Sequence, residues 1–250
     1  MKALIMAAGR GTRISRYLSD RPKCTVDIGN TPLIVNTVRE LKKRGINEIA
    51  IVLGYRGEVI EELLKGFGVK FYYNYFYDVT NSIASAWFAK DFLDDDVIIM
   101  NGDVFFESSV LEIILEEKLD PVLFCDSTRK EEADYKFYYE DSKLIKYGKE
   151  LTGNNISAEY VGIAKISKKL ISIFINQLEN LIRNQHHGIW WEDVLYSLTK
   201  KHNIYVKNIN GKFWAEVDFI EDYERILKFR DYKINFNIEV IKEEVATSLE

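Results

Sequence analysis

Hydrophobic residues along the first half of the chain follow two alternating patterns. Short apolar runs predict buried strands at residues 3–8, 48–53, 69–73 and 96–100. Between these runs, apolar positions recur every three or four residues and predict helices over residues 33–41, 57–64 and 82–92. Strands and helices in this alternation are typical of a parallel sheet with right-handed crossovers.

The second half of the chain carries the same signals in a less regular order. Strands are predicted at residues 122–126, 160–166, 206–209 and 213–219, with a hairpin formed by residues 135–140 and 143–145. Helices are predicted over residues 111–119, 167–183 and 220–229. Residues 235–248 are predicted to form a polar helix or tail. The whole pattern predicts a single α/β domain over residues 1–250, with a mixed, mainly parallel sheet flanked by helices.

Composition narrows the function classes that remain. The 250 residues are 47% hydrophobic, enough for a sizeable core, and the formal net charge of −5 argues against a general nucleic-acid binder. Cys24 and Cys125 are the only cysteines, which predicts reduced thiols and neither a disulfide framework nor a zinc cluster. No apolar run approaches the roughly 20 residues that span a bilayer. We therefore expect a cytoplasmic protein that binds neither nucleic acid nor membrane.

The first predicted strand runs into a turn that suits phosphate binding. Residues 9–13 contain two glycines, which let the backbone approach an anion, and two arginines, which supply guanidinium donors. Lys23 follows an Arg-Pro pair whose proline restrains the backbone that presents the ammonium group. The spacing fits neither a Walker A loop nor a dinucleotide-binding fingerprint, because Ile14 stands where the latter needs a third glycine.

Three further turns follow predicted strands and should meet this loop at one edge of the sheet. Gly54 lies in the first of these turns. Asn81 or Ser82 is a predicted N-cap, and a helix start with exposed N–H groups suits a base or an anion. Asp103 follows a buried strand, where a carboxylate suits a metal ion. The simpler alternative for each position is an ordinary turn or helix cap.

Two clusters late in the chain carry further candidate chemistry. Glu216 and Asp218 project from the same face of a predicted strand, so they present two oxygens to one divalent cation. Trp190 and Trp191 stand beside Glu192, and aromatic rings beside a carboxylate suit a cationic head group. The alternative for the two tryptophans is that they only pack a helix onto the sheet.

Four motifs together resemble the sugar-phosphate nucleotidylyltransferase family. In chain order they are Ala7-Ala8-Gly9-Arg10-Gly11-Thr12-Arg13, Arg21-Pro22-Lys23, Asn101-Gly102-Asp103 and Glu216-Val217-Asp218 with Asp222 behind them. The chain is most similar to the cytidylyltransferase branch that acts on phosphocholine and related phosphorylated alcohols, amines or phosphonates. The resemblance implies a Rossmann-like, nucleotide-diphospho-sugar transferase-like fold. Residues of about 1–110 would bind the nucleotide, about 120–230 the acceptor, and about 235–250 would form a C-terminal helix or tail.

The same resemblance implies a reaction and the residues that carry it. CMP would move from CTP, or a nucleotidyl group from another nucleoside triphosphate, to a small phosphorylated acceptor by Mg²⁺-dependent in-line displacement that releases pyrophosphate. Lys23 and Arg13 would be catalytic, and the resemblance implies a monomer or homodimer. The implied nucleotide-binding residues are Ala8, Gly9, Arg10, Gly11, Thr12, Gly54, Asn81 and Ser82. The implied acceptor-binding residues are Lys149, Trp190, Trp191 and Glu192, and the implied metal ligands are Asp103, Glu216 and Asp218.

Three alternative functions stay open at this point. A sugar-1-phosphate nucleotidylyltransferase using UTP, TTP or GTP would share the motifs. A nucleotide-binding regulatory protein without activity would have no chemical need for Lys23 together with Asp103 and Asp218. A glycosyltransferase would typically carry an Asp-x-Asp pair at the end of the fourth strand, where Asn101-Gly102-Asp103 offers one carboxylate.

Overall fold

The computed structural model describes residues 1–11, 20–130 and 132–231. Within these ranges the strands are β1 (Lys2–Ala7), β2 (Ile49–Leu53), β3 (Lys70–Tyr73), β4 (Val97–Asn101), β5 (Val104–Phe106), β6 (Val122–Asp126), β7 (Lys136–Glu140), β8 (Lys143–Gly148), β9 (Ala158–Ile166), β10 (Tyr205–Asn208) and β11 (Trp214–Glu216). The helices are α1 (Leu33–Lys43), α2 (Gly57–Leu63), α3 (Ser82–Phe88), α4 (Ser108–Glu116), α5 (Lys168–Arg183), α6 (Asp193–Leu198) and α7 (220–231). Thr12, Arg13 and the predicted tail of residues 235–250 lie outside the described residues.

Most elements lie within a few residues of their predicted positions. The helix predicted over 82–92 is shorter, because α3 ends at Phe88 and a separate 3-10 turn covers Lys90–Phe92. The helix predicted over 111–119 begins earlier and occupies Ser108–Glu116. Strand β5 has no counterpart among the predictions, and the strand predicted over 213–219 ends at Glu216.

Nine strands form one mixed sheet in the order β3-β2-β1-β4-β9-β6-β10-β8-β7. The first four pair in parallel, as the alternating pattern predicts. Beyond them the pairing is mostly antiparallel: β9 runs against both β4 and β6, and β7 pairs with β8 and again with β9. The parallel half therefore has free carboxyl ends on one edge, where ligands bind in such sheets.

The sheet separates two hydrophobic layers. Alternate residues of β1 point to opposite faces, so that Leu4 joins the cluster packed under α3, α5 and α6, and Ile5 joins the cluster under α1, α2 and α4. Both side chains are fully buried. None of the helices in the described ranges is long and apolar enough to cross a membrane.

A second, two-stranded ladder joins the middle of the chain to its far end. Strand β5 pairs antiparallel with β11, and Glu216 lies opposite Val104 in this register. The Val217 N–H donates a hydrogen bond to the Asp103 carbonyl at 2.9 Å. This ladder therefore holds the acidic residues that follow β4 and those that end β11 against one another.

Candidate active site

Lys23 is the centre of a cluster of charged side chains. It begins a 3-10 turn, Lys23–Thr25, directly after Pro22. Its ammonium donates to the Asp218 carboxylate and also to Asp103 Oδ2 at 3.4 Å. The three side chains are only 13%, 18% and 22% exposed for Lys23, Asp218 and Asp103 respectively. The structure thus brings together the lysine from the start of the chain and the acidic residues from its middle and far end.

Burial and neighbouring charges shift the pKa values of Lys23, Asp103 and Glu216. Burial lowers the pKa of Lys23, but the Asp103 and Asp218 charges outweigh it and the net direction is upward. Burial raises the pKa of Asp103, with Lys23 opposing and Asp218 adding to the rise. Burial, followed by the charges of Asp103 and Asp218, raises the pKa of Glu216 well above its usual range. Three carboxyl groups therefore share one ammonium, and the site favours a further cation.

Gly11 fits the position because a side chain there would collide with Lys23. Its φ of +63° is a left-handed conformation that non-glycine residues rarely adopt. A Cβ atom at Gly11 would lie 2.4 Å from Lys23 Cγ. The loop glycine thus allows the lysine stem to pass directly beside the backbone of the loop.

A cavity of about 280 Å³ opens at the carboxyl ends of β1 and β4. Its walls come from residues 6–9 and 11, 22–24, 101–103, parts of the segment 74–85, and the side chains of Trp190 and Glu216. We refer to it as the first cavity. Of the predicted nucleotide-binding residues, Ala8, Gly9, Gly11, Asn81 and Ser82 line it.

Two other predicted nucleotide-binding residues lie away from the first cavity. The Arg10 guanidinium lies over the ring of Tyr55, 5.3 Å from its centroid. Gly54 packs behind the loop instead of lining the cavity, because a Cβ atom there would lie 2.6 Å from the Ala8 carbonyl oxygen. Close packing against Ala8 therefore explains the glycine at residue 54, and its contact with the base or ribose stays a prediction.

The start of α3 also differs from the expectation of exposed N–H groups. The Asn81 N–H donates to the His187 carbonyl at 2.8 Å, and the Ile83 N–H donates to the Ile189 carbonyl at 3.3 Å. The Asn81 side chain accepts from the Ser82 N–H at 2.7 Å. These backbone donors are used to hold the segment before α6, so Asn81 and Ser82 contribute side chains to the cavity and not a free helix N-terminus.

A second cavity, of about 310 Å³, adjoins the first. Its lining residues are Gly11, Lys23, Asn101, Asp103, Asp134, Tyr135, Lys149, Tyr160, Trp190, Glu192, Tyr196, Glu216 and Asp218. Three of the predicted acceptor-binding residues, Lys149, Trp190 and Glu192, are among them. The two cavities share Gly11, Lys23, Asn101, Asp103, Trp190 and Glu216, so they meet at the charged cluster.

The two neighbouring tryptophans have different surroundings. Trp190 is 41% exposed and lines both cavities. Trp191 is fully buried in the core, and its indole N–H donates to Asn101 Oδ1 at 2.9 Å. The predicted aromatic wall therefore contains Trp190 but not Trp191, which packs α6 against the sheet.

Glu192 contributes a buried carboxyl group to the lining of the second cavity. It is 6% exposed and accepts a hydrogen bond of 3.4 Å from Asn101 Nδ2. Burial raises its pKa to about 8, against an opposing contribution from that hydrogen bond. Asn101 therefore links the buried tryptophan to Glu192 from the end of β4.

Tyrosines of the second cavity are the residues that the sequence analysis missed. Tyr135 precedes β7, Tyr160 lies in β9 and Tyr196 lies in α6. Asp134 also lines this cavity and pairs with Lys149 at 2.7 Å. The one local signal is the aromatic content around residues 135–139, which includes only the first of the three tyrosines and is equally typical of a strand. Only the tertiary structure gathers them.

The acidic residues can be tested as metal ligands by their chemistry. Among the described residues, no three His, Cys, Asp or Glu side chains are placed together as a metal site. Glu216 and Asp218 do not share one strand face as predicted, because β11 ends at Glu216 and the Asp218 N–H turns back to the Glu216 carbonyl at 3.0 Å. Carboxylate oxygens in an excess of negative charge nevertheless fit a hard divalent cation.

The sequence of the chain is similar to those of several known proteins. Residues 3–155 match the MobA-like NTP transferase domain family. The chain is 29% identical over 249 residues to CTP:phosphoglutamine cytidylyltransferase of Campylobacter jejuni, covering 90% of this chain and 98% of that protein. It is 26% identical over 226 residues to choline-phosphate cytidylyltransferase of Streptococcus pneumoniae, covering 90% and 96%.

A solved structure shows the same fold. The CTP:phosphocholine cytidylyltransferase of Streptococcus pneumoniae matches with a TM-score of 0.73 at 21% identity. The match covers 91% of this chain and 98% of that one. The α/β fold predicted from the sequence, of the nucleotide-diphospho-sugar transferase type, is thereby confirmed.

Proposed function

This chain belongs to the MobA-like NTP transferase domain family, and on that premise we propose that it transfers CMP from CTP to a small phosphorylated acceptor. The family resemblance predicted from the four motifs is confirmed, and the chain is a nucleotidyltransferase. The alignments with the two cytidylyltransferases cover nearly the whole length of both of those proteins. Both support CTP as the donor, while their different acceptors leave the acceptor of this chain to be argued from its own residues.

The observation that carries the proposal is the junction of the two cavities at Lys23. A group-transfer enzyme must hold donor and acceptor on opposite sides of the reacting atom. Here the first cavity, beside the glycine loop, would hold CTP, and the second would hold the acceptor. The α-phosphorus of CTP would then lie where the two cavities meet, next to the ammonium group of Lys23.

The proposed reaction is a direct displacement. An oxygen of the acceptor phosphate attacks the α-phosphorus of CTP, and the bond from that phosphorus to the oxygen bridging to the β-phosphate breaks. Pyrophosphate leaves with the electron pair. Lys23 would stabilise the negative charge on the α-phosphate and on the incoming phosphate, because its ammonium is already fixed by Asp103 and Asp218.

Nucleotidyltransferases of this family generally use a divalent metal ion, and we infer that Mg²⁺ serves here. Asp103, Glu216 and Asp218 would hold it beside the Lys23 ammonium. The ion would supply positive charge to the phosphate oxygens. The excess of carboxyl groups over ammonium groups in the cluster supports this ligand set.

The remaining nucleotide contacts follow the walls of the first cavity. Gly9 and Gly11 would let the loop backbone meet the triphosphate, and Asn81 and Ser82 would face the base and ribose. The role of Arg13 on the β- and γ-phosphates and the part of Thr12 in nucleotide binding stay predictions, because both residues lie outside the described residues.

Pyrophosphate release tests the proposal directly. The purified chain would be supplied with Mg²⁺, with CTP, UTP, dTTP or GTP, and with phosphocholine, phosphoethanolamine, an aminoalkylphosphonate or glucose 1-phosphate. We expect release with CTP and at least one of the non-sugar acceptors. A preference for glucose 1-phosphate with another nucleotide would replace the proposal by the sugar-nucleotide alternative. Absence of release in every combination, despite measurable CTP binding, would favour a non-catalytic nucleotide-binding protein.

A further inference from the structure

Tyr55 lies in the turn after β2, directly behind the first cavity. Its backbone N–H donates to the Ala8 carbonyl at 3.0 Å, and its ring meets the Tyr77 ring edge to face with the centroids 6.1 Å apart. Ala8 and Tyr77 are among the described residues that line the first cavity, and Tyr55 is not. Tyr55 is therefore placed to act on the residues that form the cavity wall.

The hydroxyl of Tyr55 holds the chain that leads into Lys23. It donates to the Asp20 carbonyl at 3.2 Å, and the Arg56 guanidinium donates to the same oxygen, also at 3.2 Å. A carbonyl oxygen has two lone pairs, so these two donors fill its hydrogen-bonding capacity. Two neighbouring side chains of the turn after β2 thus tie down the backbone at Asp20.

The distance along the chain from this carbonyl to the charged cluster is short. Two residues separate Asp20 from Lys23, and the second is Pro22, whose ring fixes its own φ angle. After Lys23, the Thr25 hydroxyl donates to the Pro22 carbonyl at 2.8 Å. The backbone that carries the Lys23 ammonium is therefore held on both sides, by Thr25 and by the contact of Tyr55 with Asp20.

Two residues at this contact adopt a strained backbone conformation. Asp20 has a φ of +63° and Arg56 a φ of +48°, in the left-handed region that non-glycine residues rarely adopt. Such residues persist where the surrounding contacts over-determine them, and they are concentrated at functional sites. The hydrogen bond from Arg56 to the Asp20 carbonyl joins the two strained residues directly, which supports a functional reason for this contact.

The ring of Tyr55 holds a residue of the glycine loop. The Arg10 guanidinium lies 5.3 Å from the centroid of this ring, within the range of cation–π attraction. Arg10 stands between Gly9 and Gly11, and both glycines line the first cavity. A restraint on the Arg10 side chain is therefore also a restraint on the loop backbone that would meet the triphosphate.

Resting on the function proposed above, we propose that Tyr55 is a positioning residue for the transfer reaction, with one role for its hydroxyl and another for its ring. The hydroxyl, together with Arg56, sets the position of the Lys23 ammonium where the two cavities meet, and so acts on turnover. The ring holds Arg10 and with it the glycine loop, and so acts on the binding of CTP. Tyr55 acts through these residues and not by contact with a substrate.

Tyr55→Phe and Tyr55→Leu separate the two roles. Tyr55→Phe keeps the ring, so kcat for pyrophosphate release with the best acceptor should fall about tenfold, while the calorimetric dissociation constant for CTP with Mg²⁺ changes by less than about twofold. Tyr55→Leu also removes the ring, so the same fall in kcat should come with about fivefold weaker binding of CTP. A merely structural role would change both quantities alike in both variants, and that result would overturn the inference.

A double-mutant cycle tests whether the hydroxyl acts through Lys23. In a Lys23→Met background, Tyr55→Phe should have no further effect on kcat, because the ammonium that the hydroxyl positions is gone. An equal effect in both backgrounds would contradict the assignment.

Tyr138→Phe is the matched control. The Tyr138 hydroxyl also donates a hydrogen bond, to Glu140 on the β7–β8 hairpin, but Tyr138 is not among the described residues that line the two cavities. This variant should keep the kcat and the CTP affinity of the wild type. A fall in kcat equal to that of Tyr55→Phe would show that the loss of any tyrosine hydroxyl is sufficient, and would overturn the inference.

Failure of the inference can be distinguished from failure of the proposed function. If the wild type releases no pyrophosphate from CTP with any acceptor of the panel, the proposed function fails, and the role of the hydroxyl in turnover fails with it. The dissociation constants of the wild type and Tyr55→Leu for CTP still test the role of the ring. If the wild type is active and Tyr55→Phe matches it in kcat, only the inference fails.

Discussion

Two lysines reach the second cavity, and their surroundings differ sharply. Lys23 is 13% exposed and lies between two partly buried carboxylates, whereas Lys149 is 37% exposed and pairs with the largely exposed Asp134. An exposed ion pair contributes about 0–1 kcal/mol to stability. A partly buried pair is screened less by solvent and salt, so the loss of one partner costs more there than at the surface.

This difference separates a fixed site from an adjustable one. The stem of Lys23 is confined beside Gly11, and its ammonium is set by side chains from two distant parts of the chain. Lys149 is held on a hairpin connection by one surface carboxylate and by the face of Trp190. The confined surroundings of Lys23 suit the transfer step, which is the same for every acceptor. The more exposed surroundings of Lys149 suit a contact that varies with the acceptor.

The largest expected effect comes from replacing Lys23 by an uncharged residue of similar length. The same replacement at Lys149 is the comparison. Lys23→Met should lower kcat for pyrophosphate release by about 10³-fold, because it removes the one fixed cation of the charged cluster. Lys149→Met should change kcat by less than tenfold and act mainly through KM for the acceptor. Circular dichroism of both variants checks the fold. Equal losses of kcat would remove the distinction between the two lysines.

A smaller effect is expected from moving Lys23 without removing it. Gly11→Ala places a Cβ atom 2.4 Å from Lys23 Cγ at a φ of +63°, and displacement of a catalytic group by about 1 Å can cost about 10²-fold in rate. Gly68→Ala is the matched control, since Gly68 has a φ of +65° with nothing within 4 Å of its Cβ position. Steady-state kinetics should show the loss in the first variant alone, and comparable rates in the two would contradict it.

The last expected effect is on stability and not on rate, and it is a pH dependence that arises from the buried carboxyl group of Glu192. Burial raises the pKa of Glu192 from 4.5 to about 8, so the folded state binds a proton that the unfolded state releases within this range. That contribution to stability is complete below pH 4.5 and is lost as the pH rises toward 8, by up to about 1.4 kcal/mol per pH unit.

Glu192→Gln tests this sign. Urea unfolding at pH 5, 6, 7 and 8 should show the wild type losing stability with rising pH more steeply than the variant, because glutamine does not ionise. Asp134→Asn is the control, since Asp134 is 63% exposed and should leave the slope as it is in the wild type. Parallel slopes in the wild type and Glu192→Gln would show that Glu192 is ionised in the folded state.

Much of the charged cluster could be predicted from the sequence. Gly11, Lys23, Asp103 and Glu216 each stand at the end of a recognisable strand or turn, and local pattern is sufficient to place such residues at one edge of a parallel sheet. What the pattern did not give is the β5–β11 ladder, because a three-residue strand has too few positions to show a period. That ladder is what brings Glu216 and Asp218 to Asp103.

The second cavity shows the opposite balance. Trp190 and Trp191 are adjacent and identical in type, yet one is 41% exposed and the other fully buried. Nothing local distinguishes them, because the partner that fixes Trp191 is Asn101, some ninety positions away in the chain. Gly54 is a similar case, since its close contact with Ala8 depends on the packing of two strands and not on its own turn.

The sequence by itself determined the alternation of strands and helices, the loop chemistry and the reaction family, because these depend on period, backbone conformation and residue type at short range. Only the tertiary structure decided which side chains line the second cavity. Tyr135, Tyr160 and Tyr196 come from three separate parts of the chain, and packing between those parts buries the latter two. Hydrogen-bond partners and burial are properties of contacts distant in the chain, and a one-dimensional pattern does not contain them.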